Sequence, residues 1–334
     1  MRDPVTGFDY PAEWVEKCGD PVKLDLVDQG LAVLTSSGTV LQRGFTTGTT
    51  AAAACKAAVL SLQKPVDEVT INIPSGLVVR VPVESAHGRA SCRKFAGDYP
   101  SDVTAGLEFV AEAMTAPEGI QLVPGEGIGI FSRTTPRYAK GVPAISEAPL
   151  ACILASIQEA LDTTGITGVT VSLRIPEGRA VAEKTLNPRM GVIGGISVLG
   201  TTGLVEPWDD HLEESMAGRI TAADRPVLTT GRVGLRYSRL LFPDRTIILI
   251  GGKLGPALQA VTGEAVLCGL PALILRHIRP DILKGTGYKT VEEFSASPDF
   301  EKVAQAILTQ FKKTNPRIRV VLINREGKIM VESP

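Results

Sequence analysis

The sequence is poor in the residues that build metal centres and disulfide staples. Only five cysteines occur in 334 residues, and Cys18, Cys55, Cys92, Cys152 and Cys268 are isolated and never spaced as Cys-x-x-Cys. An odd, scattered set of this kind excludes a disulfide framework and a cysteine-built zinc site, and it points to a reducing compartment. Histidine is scarcer still: His87, His211 and His277 are the whole complement, and each reads as a surface or turn residue rather than a base. An excess of one charge is missing too. The 35 Lys+Arg and 36 Asp+Glu leave a net charge of -1, so nothing points to a nucleic-acid backbone as partner. Long apolar runs are absent; the longest, Ala265 to Ile278, is broken by Gly269 and Pro271 and is too short to span a bilayer. The N-terminus lacks a charged-then-apolar leader pattern, so the expected location is the cytoplasm, away from membranes.

What is present suits a globular chain long enough for two domains. Glycine (34) and proline (23) are plentiful, which predicts tight turns and backbone-lined pockets. Residues 1–27 read as an N-terminal arm. Two apolar stretches around Ser36-Ser37-Gly38 predict a hairpin. Thr49 to Leu62, with its alanine run, predicts a helix. Alternating segments over 69–73, 77–84 and 89–95 predict an antiparallel meander. Helices are expected over 103–115 and 150–163, a glycine-rich strand or loop over 121–130, and a strand over 169–175. This mixture makes residues 28–210 an α+β domain. Over 211–334 the pattern changes to short apolar strands at 226–230, 246–251, 265–270 and 319–324. Helices between them predict a smaller α/β domain with a mainly parallel sheet.

Several stretches carry chemistry. Arg43 to Thr50 (RGFTTGTT) precedes the alanine helix; outward-turned N–H groups and the helix N-terminus make Arg43, Thr46, Thr47, Gly48 and Thr49 a candidate anion site. The alternative is that the threonines only cap the helix, although four threonines and two glycines in residues 44–50 exceed the needs of one cap. In Arg93 to Thr104, Asp98 and Asp102 follow Arg93 and Lys94 and could position a proton; otherwise Asp98 forms a turn and Ser101 or Asp102 caps a helix. Gly125 to Gly129 (GEGIG) looks like part of a nucleotide loop but lacks the strand–turn–helix context. Thr185 to Pro207 is apolar, carries five glycines and ends in a second Gly-Thr-Thr-Gly. That density weakens a core strand but suits a wall that approaches a flat ligand closely, with Glu206 able to hold a ribose diol or take a proton.

Four blocks occur in order: RGFTTGTTAAAA (43–54), KFAGDYPSDVTAG (94–106), GEGIG (125–129) and KTLNPRMGVIGGISVLGTTGLVEP (184–207). They resemble the blocks of the cobalt-precorrin-5B C1-methyltransferases of the anaerobic cobalamin pathway, and the likeness runs from about residue 28 to residue 240. Bacterial members carry a Gly-His-x-Gly-Lys and a Thr-His-Ser-Arg segment in the last third, where this chain reads Ile250-Gly251-Gly252-Lys253-Leu254-Gly255. The family's Asp-x-Thr-His-Gly is Asp102-Val103-Thr104-Ala105-Gly106, with no histidine. Both departures are similar to the family's divergent archaeal branch.

The resemblance implies methylation of a ring carbon, C1 of cobalt-precorrin-5B, by S-adenosyl-L-methionine to give cobalt-precorrin-6A. Cobalt would arrive inside the tetrapyrrole substrate, so no metal ligands are expected from the protein. Asp98, Asp102 and Glu206 are the candidate bases. Arg43, Thr46, Thr47, Gly48, Thr49, Arg93 and Lys94, with Arg189, are expected to grip the substrate's carboxylates. Gly125, Gly127, Gly194, Gly195, Ser197, Gly200, Thr201, Thr202 and Glu206 are expected to face the cosubstrate. A homo-oligomer is compatible with the sequence. The rival readings are a non-catalytic corrinoid carrier and a nucleotide-dependent kinase, the latter lacking a Gly-x-x-x-x-Gly-Lys-Ser/Thr loop.

Overall fold

The computed structural model describes residues 1–99, 102–134, 138–207 and 216–334. The chain divides into two compact units: Gly30–Ala32 with Leu41–Asp209, and Met1–Gln29 with Val33–Val40 and Asp210–Pro334.

The first unit is organised around the helix Thr47–Leu60, in which every residue from Thr47 to Val59 is buried. The alanine run therefore does more than favour helix. Side chains of one carbon let the helix Glu147–Thr164 and the strands Arg89–Arg93 and Glu108–Thr115 pack against it on several sides. The one cation inside this packing, Lys56, donates from Nζ to the Thr70 carbonyl at 2.8 Å and pairs with Glu159. The sheet beneath has the order Glu84–Ala86, Arg89–Arg93, Glu108–Thr115, Gly168–Arg174, Gly119–Pro124. Its pairs are antiparallel except the last, which is parallel. A separate antiparallel hairpin joins Glu68–Asn72 to Val78–Pro82 through a turn at Gly76, whose φ of +84° needs glycine. Both long helices expected at 49–62 and 150–163 are thus present, whereas the expected meander is split: the strands of 69–73 and 77–84 make a separate hairpin, and Arg89–Arg93 pairs with Glu84–Ala86 and Glu108–Thr115 in the larger sheet.

The helix expected over 103–115 is not. Residues 103–106 form a turn and Glu108–Thr115 is the central strand of the sheet. Its Ala, Glu and Met favour helix intrinsically, yet Phe109, Ala111 and Ala113 alternate inward and both edges find a ladder partner. Tertiary pairing overrides a propensity difference of a few tenths of a kcal/mol per residue. Asp102 consequently caps no helix.

The second unit holds four parallel strands, Val227–Thr230, Ile247–Leu249, Ala265–Gly269 and Ile318–Ile323, closed by the antiparallel edge strand Ile329–Glu332. Numbered along the chain from first to fifth, they lie in the spatial order second, first, third, fourth, fifth. Leu228, Leu267, Val320 and Leu322 form the floor of a core covered by Ile274, Leu275, Ala304 and Leu308 from helices. The N-terminal residues add an aromatic cluster to this unit: Phe8 meets Tyr10 at 5.2 Å, Trp14 at 5.8 Å and Tyr237 at 5.3 Å. Ser36 donates from its backbone N–H to the Leu240 carbonyl and from its hydroxyl to that of Leu241.

No helix among the described residues is long and apolar enough to cross a membrane. Four of the five cysteines are buried. Burial pushes the thiols of Cys55 and Cys92 up to about 12 and that of Cys268 up to about 11, and it raises Cys152 as well. A thiol that stays protonated and enclosed does not attack disulfides. Titration of the native chain with an aromatic disulfide reagent is therefore expected to modify Cys18 promptly and the other four only after denaturation. Prompt reaction of more than one thiol would contradict this packing.

Candidate functional site

The two Gly-Thr-Thr motifs bind each other. At the start of the alanine helix the Thr46 hydroxyl accepts the Thr49 N–H at 3.3 Å, a helix cap. The Thr47 hydroxyl accepts the Leu199 N–H at 2.9 Å and is shared as donor between the Ser197 and Leu199 carbonyls at 3.1 and 3.2 Å. The Gly48 N–H donates to the Leu199 carbonyl at 3.1 Å, while the Thr46 N–H and the Thr49 hydroxyl reach the Gly203 carbonyl at 3.0 and 2.7 Å. Glycine is needed on both sides of this joint. A Cβ on Gly48 would press on Pro149 at 2.8 Å, and one on Gly200 would overlap Thr46. The donors read from the sequence as an anion site are thus spent within the fold, and Thr46, Thr47, Gly48 and Thr49 are all buried.

A second glycine joint lies beside it. Gly127-Ile128 pairs in parallel with Gly195-Ile196, and Ile130-Phe131 pairs antiparallel with Val192-Ile193. Gly127, Gly178 and Gly195 bring three backbones into contact, so that a Cβ on any of them would overlap a carbonyl of a neighbour. Gly125 is close-packed as well, 3.3 Å from the Leu173 carbonyl oxygen at its Cβ position. The Ser197 hydroxyl donates to Asn187 Oδ1 at 2.9 Å, and the Thr202 hydroxyl to the Leu204 carbonyl at 3.1 Å. Of the block's glycines, Gly191, Gly195, Gly200 and Gly203 are accounted for by chain against chain, and Gly194 has open space at its Cβ position. Gly194 and Thr201 are exposed.

The charged candidates fall into three settings. Arg43 is wholly buried, donating from Nη1 to the Gly30 carbonyl at 3.0 Å and pairing from Nε with Glu206 at 3.5 Å. Glu206 is 23% exposed, so it is the solvent-facing end of this pair. Lys94 and Asp102 form a second pair, both nearly enclosed. The Asp102 carboxylate also accepts the Thr104 N–H at 2.9 Å and hydroxyl at 2.5 Å. Burial alone would raise the Asp102 carboxyl; the bonds from Lys94 and Thr104 and the Lys94 charge outweigh it and hold the group below its ordinary value. Asp98 is exposed and accepts the Gln42 N–H at 2.7 Å, pinning residues 42–44 against 95–98. His87 and His277 are at the surface, and His211 lies outside the described residues. Among the described residues no group of three or more His, Cys, Asp or Glu is placed to hold a metal ion.

Next to these pairs opens a cavity of about 680 Å³ lined by Phe45, Arg80, Val81, Pro82, Val83, Glu84, Ser91, Arg93, Lys94 and Phe95. Phe45 and Phe95 meet at 5.9 Å on its wall. Arg80 and Arg93 reach Glu68 and Glu108 at 3.8 and 3.4 Å in exposed pairs. Exposed pairs of this kind contribute about 0–1 kcal/mol, so a ligand carboxylate exchanges with them at little cost. The space is apolar and aromatic with cations at hand, a chemistry that suits a flat ring bearing several carboxylates. Of the residues selected from the sequence, Arg93 and Lys94 line it. Arg80, Phe45 and Phe95 were missed. Arg80 alternates with Val79 and Val81 like any outward strand residue, and only its place beside Arg93 on the cavity wall marks it.

The CbiD family model matches residues 34–207. Cobalt-precorrin-5B C(1)-methyltransferase of Methanoregula boonei is 66% identical over the full length of both chains, and that of Methanoculleus marisnigri is 59% identical, again over both whole chains. The crystal structure of the cobalamin biosynthesis protein CbiD from Archaeoglobus fulgidus is 33% identical, covers 97% of this chain and 100% of its own, and superposes with a TM-score of 0.57. A family model that spans the joined glycine blocks and the cavity wall, and relatives aligned from end to end, place this chain in the CbiD family.

Proposed function

We propose that this chain transfers a methyl group from S-adenosyl-L-methionine to C1 of cobalt-precorrin-5B, giving cobalt-precorrin-6A on the way to cobalamin, and that it does so in the cytoplasm. The names of its full-length relatives support the reaction, and one observation supports the substrate's place: the aromatic and cationic cavity at Phe45, Arg80, Arg93, Lys94 and Phe95. The two compact units are taken as two domains: an α+β domain of Gly30–Ala32 with Leu41–Asp209, and an α/β domain with a mainly parallel sheet that joins Asp210–Pro334 to Met1–Gln29 and Val33–Val40.

In this reading Phe45 and Phe95 hold the ring face, and Arg80 and Arg93 bind its acetate and propionate groups. Lys94 adds a charge at the inner wall, neutralised by Asp102 while the cavity is empty. The donor supplies a methyl carbon on a positive sulfur. The protein's part is to align ring carbon and methyl and to keep water out. The ring must lose a proton to become a carbon nucleophile, and Glu206 is the assigned acceptor. Asp98 is committed to Gln42, and Asp102 is held as a carboxylate by Lys94 and Thr104, which makes it a poor proton acceptor. Glu206 adjoins the ladder that pairs Leu204 with Phe45 of the cavity wall.

The test is methyl transfer from labelled donor to cobalt-precorrin-5B. Arg80→Ala/Arg93→Ala is expected to raise the KM for the tetrapyrrole at least about ten-fold, from the loss of two charge-assisted contacts, with the donor KM unchanged. Equal shifts of both constants would sink the assignment of the cavity. Tight tetrapyrrole binding without label transfer would instead support a carrier.

A further inference from the structure

The donor's own place is the next question, since Gly195 is pressed on neighbouring backbone and Gly191, Gly200 and Gly203 on side chains, which leaves Gly194 as the open glycine of 191–206. We propose that the adenosyl donor binds at the carboxyl ends of the parallel strands of the other unit, where Val227–Thr230, Ile247–Leu249 and Ala265–Gly269 finish. The assignment rests on the methyltransferase reading and locates its cosubstrate.

The topology sets the position. The chain goes from the first parallel strand outward to the second on one side, then returns past the first to the third on the other. In open parallel sheets this reversal leaves a crevice beyond the carboxyl ends of the first and third strands, because the connections leave in opposite directions. Here those ends are Thr230 and Gly269, paired in register.

Thr230 supplies the observation that points to a ligand. Its residue is 3% exposed, its hydroxyl does not cap the helix Gly231–Leu241 that follows, and it makes no hydrogen bond to any described residue. That hydroxyl lies 2.7 Å from where a Cβ on Gly269 would stand, so it sits over the reversal point, and glycine at 269 keeps the space before it clear. The helix that begins at Gly231 (φ +71°) directs its free N–H groups to the same end of the sheet. Arg232 in its first turn is exposed and enters no ion pair with a described residue.

The end of the second strand differs from the glycine joints described above. Gly251 and Gly252 have nothing within 4 Å of their Cβ positions, and Lys253 beside them is exposed. Glycines in open space permit a ligand to approach the backbone closely; glycines pressed on a carbonyl do not. The helix N-terminus with Arg232 and Lys253 suits the free carboxylate of the donor's amino-acid portion, and the Thr230 hydroxyl suits a polar group deeper in the crevice.

Calorimetric titration of the full-length chain with S-adenosylhomocysteine tests this. Thr230→Val, Arg232→Ala and Gly252→Val are each expected to raise the Kd at least about ten-fold, about 1.4 kcal/mol, while Gly194→Ala and Thr201→Val leave it within about two-fold. Arg232 and Gly252 lie where substitution meets solvent, so their variants report binding even if Thr230→Val disturbs folding. Weakening by Gly194→Ala or Thr201→Val, with the other three unchanged, would overturn the location and leave the methyltransferase reading standing. Inorganic phosphate binding that these three variants abolish, while S-adenosylhomocysteine affinity stays constant, would show a phosphate site and also overturn it. Absence of S-adenosylhomocysteine binding to the unsubstituted chain would remove the donor reading itself, and this location with it.

Discussion

Gly127→Ala is expected to cost at least about 4 kcal/mol of folding stability, enough to send most of the chain into the insoluble fraction at physiological temperature. Two costs coincide at this residue. Its φ of +75° is left-handed, which costs an L side chain about 1–2 kcal/mol. The added methyl would also overlap the Ile175 carbonyl, and backbone held by the bonds of Ile175 to Glu126 and Gly178 cannot give way as a flexible side chain can. Gly194 makes the comparison informative. It has nearly the same φ, +78°, but nothing lies within 4 Å of its Cβ position. Gly194→Ala is therefore expected to lose only about 1–2 kcal/mol, the conformational part alone. Urea denaturation of both variants separates strain from overlap. Similar losses for the two would mean that Gly127 is not pressed against residues 175–178 as described.

Lys94→Met is expected to be nearly as damaging, losing about 3–5 kcal/mol, because it leaves the Asp102 carboxylate enclosed without its cation. The double variant Lys94→Met/Asp102→Leu should recover most of that loss, since two apolar groups need no partner. Tetrapyrrole affinity should stay low in the double variant, which lacks the inner cation of the cavity. The pair also makes a statement about acid. Asp102 binds its proton less readily folded than unfolded, so its stabilising contribution is complete above the ordinary carboxylate value of 3.8 and is lost as the pH falls through the lower folded value. Acid unfolding monitored by tryptophan fluorescence should therefore lose part of its steepness below pH 3.8 in Lys94→Met/Asp102→Leu. An unchanged acid limb would place the titrating group elsewhere.

Much of this architecture was readable from residue patterns where local signals and tertiary needs agree. The alternation in Val69 to Ile73 and Leu77 to Glu84, the alanine run after Thr50, and the short apolar runs of the last third all fold as their periodicity suggests. Glu108–Thr115 misled because a central strand bounded by partners on both edges can carry alanine, glutamate and methionine. The site was half legible. The blocks that resemble the family did mark where the chain is densest in special residues. Composition could not tell whether Gly195 faces a ligand or Gly127, since both uses require the same missing side chain. Arg80 escaped notice for the opposite reason. An outward arginine on a hairpin is ordinary until the fold places Arg93 and two phenylalanines beside it. The crevice at Thr230 depends on strand order, which no single segment encodes.

The division of the chain also bears on the timing of its synthesis. Phe8 and Ser36 leave the ribosome early, yet their partners Tyr237, Leu240 and Leu241 follow some two hundred residues later. Residues 41–209 can meanwhile complete their own hydrogen bonds as soon as they emerge. The nascent chain thus carries an unfinished aromatic segment for most of translation, and ahead of a finished body while the last third is made. That segment is the part most exposed to chaperones and proteases before the last third arrives to cover it.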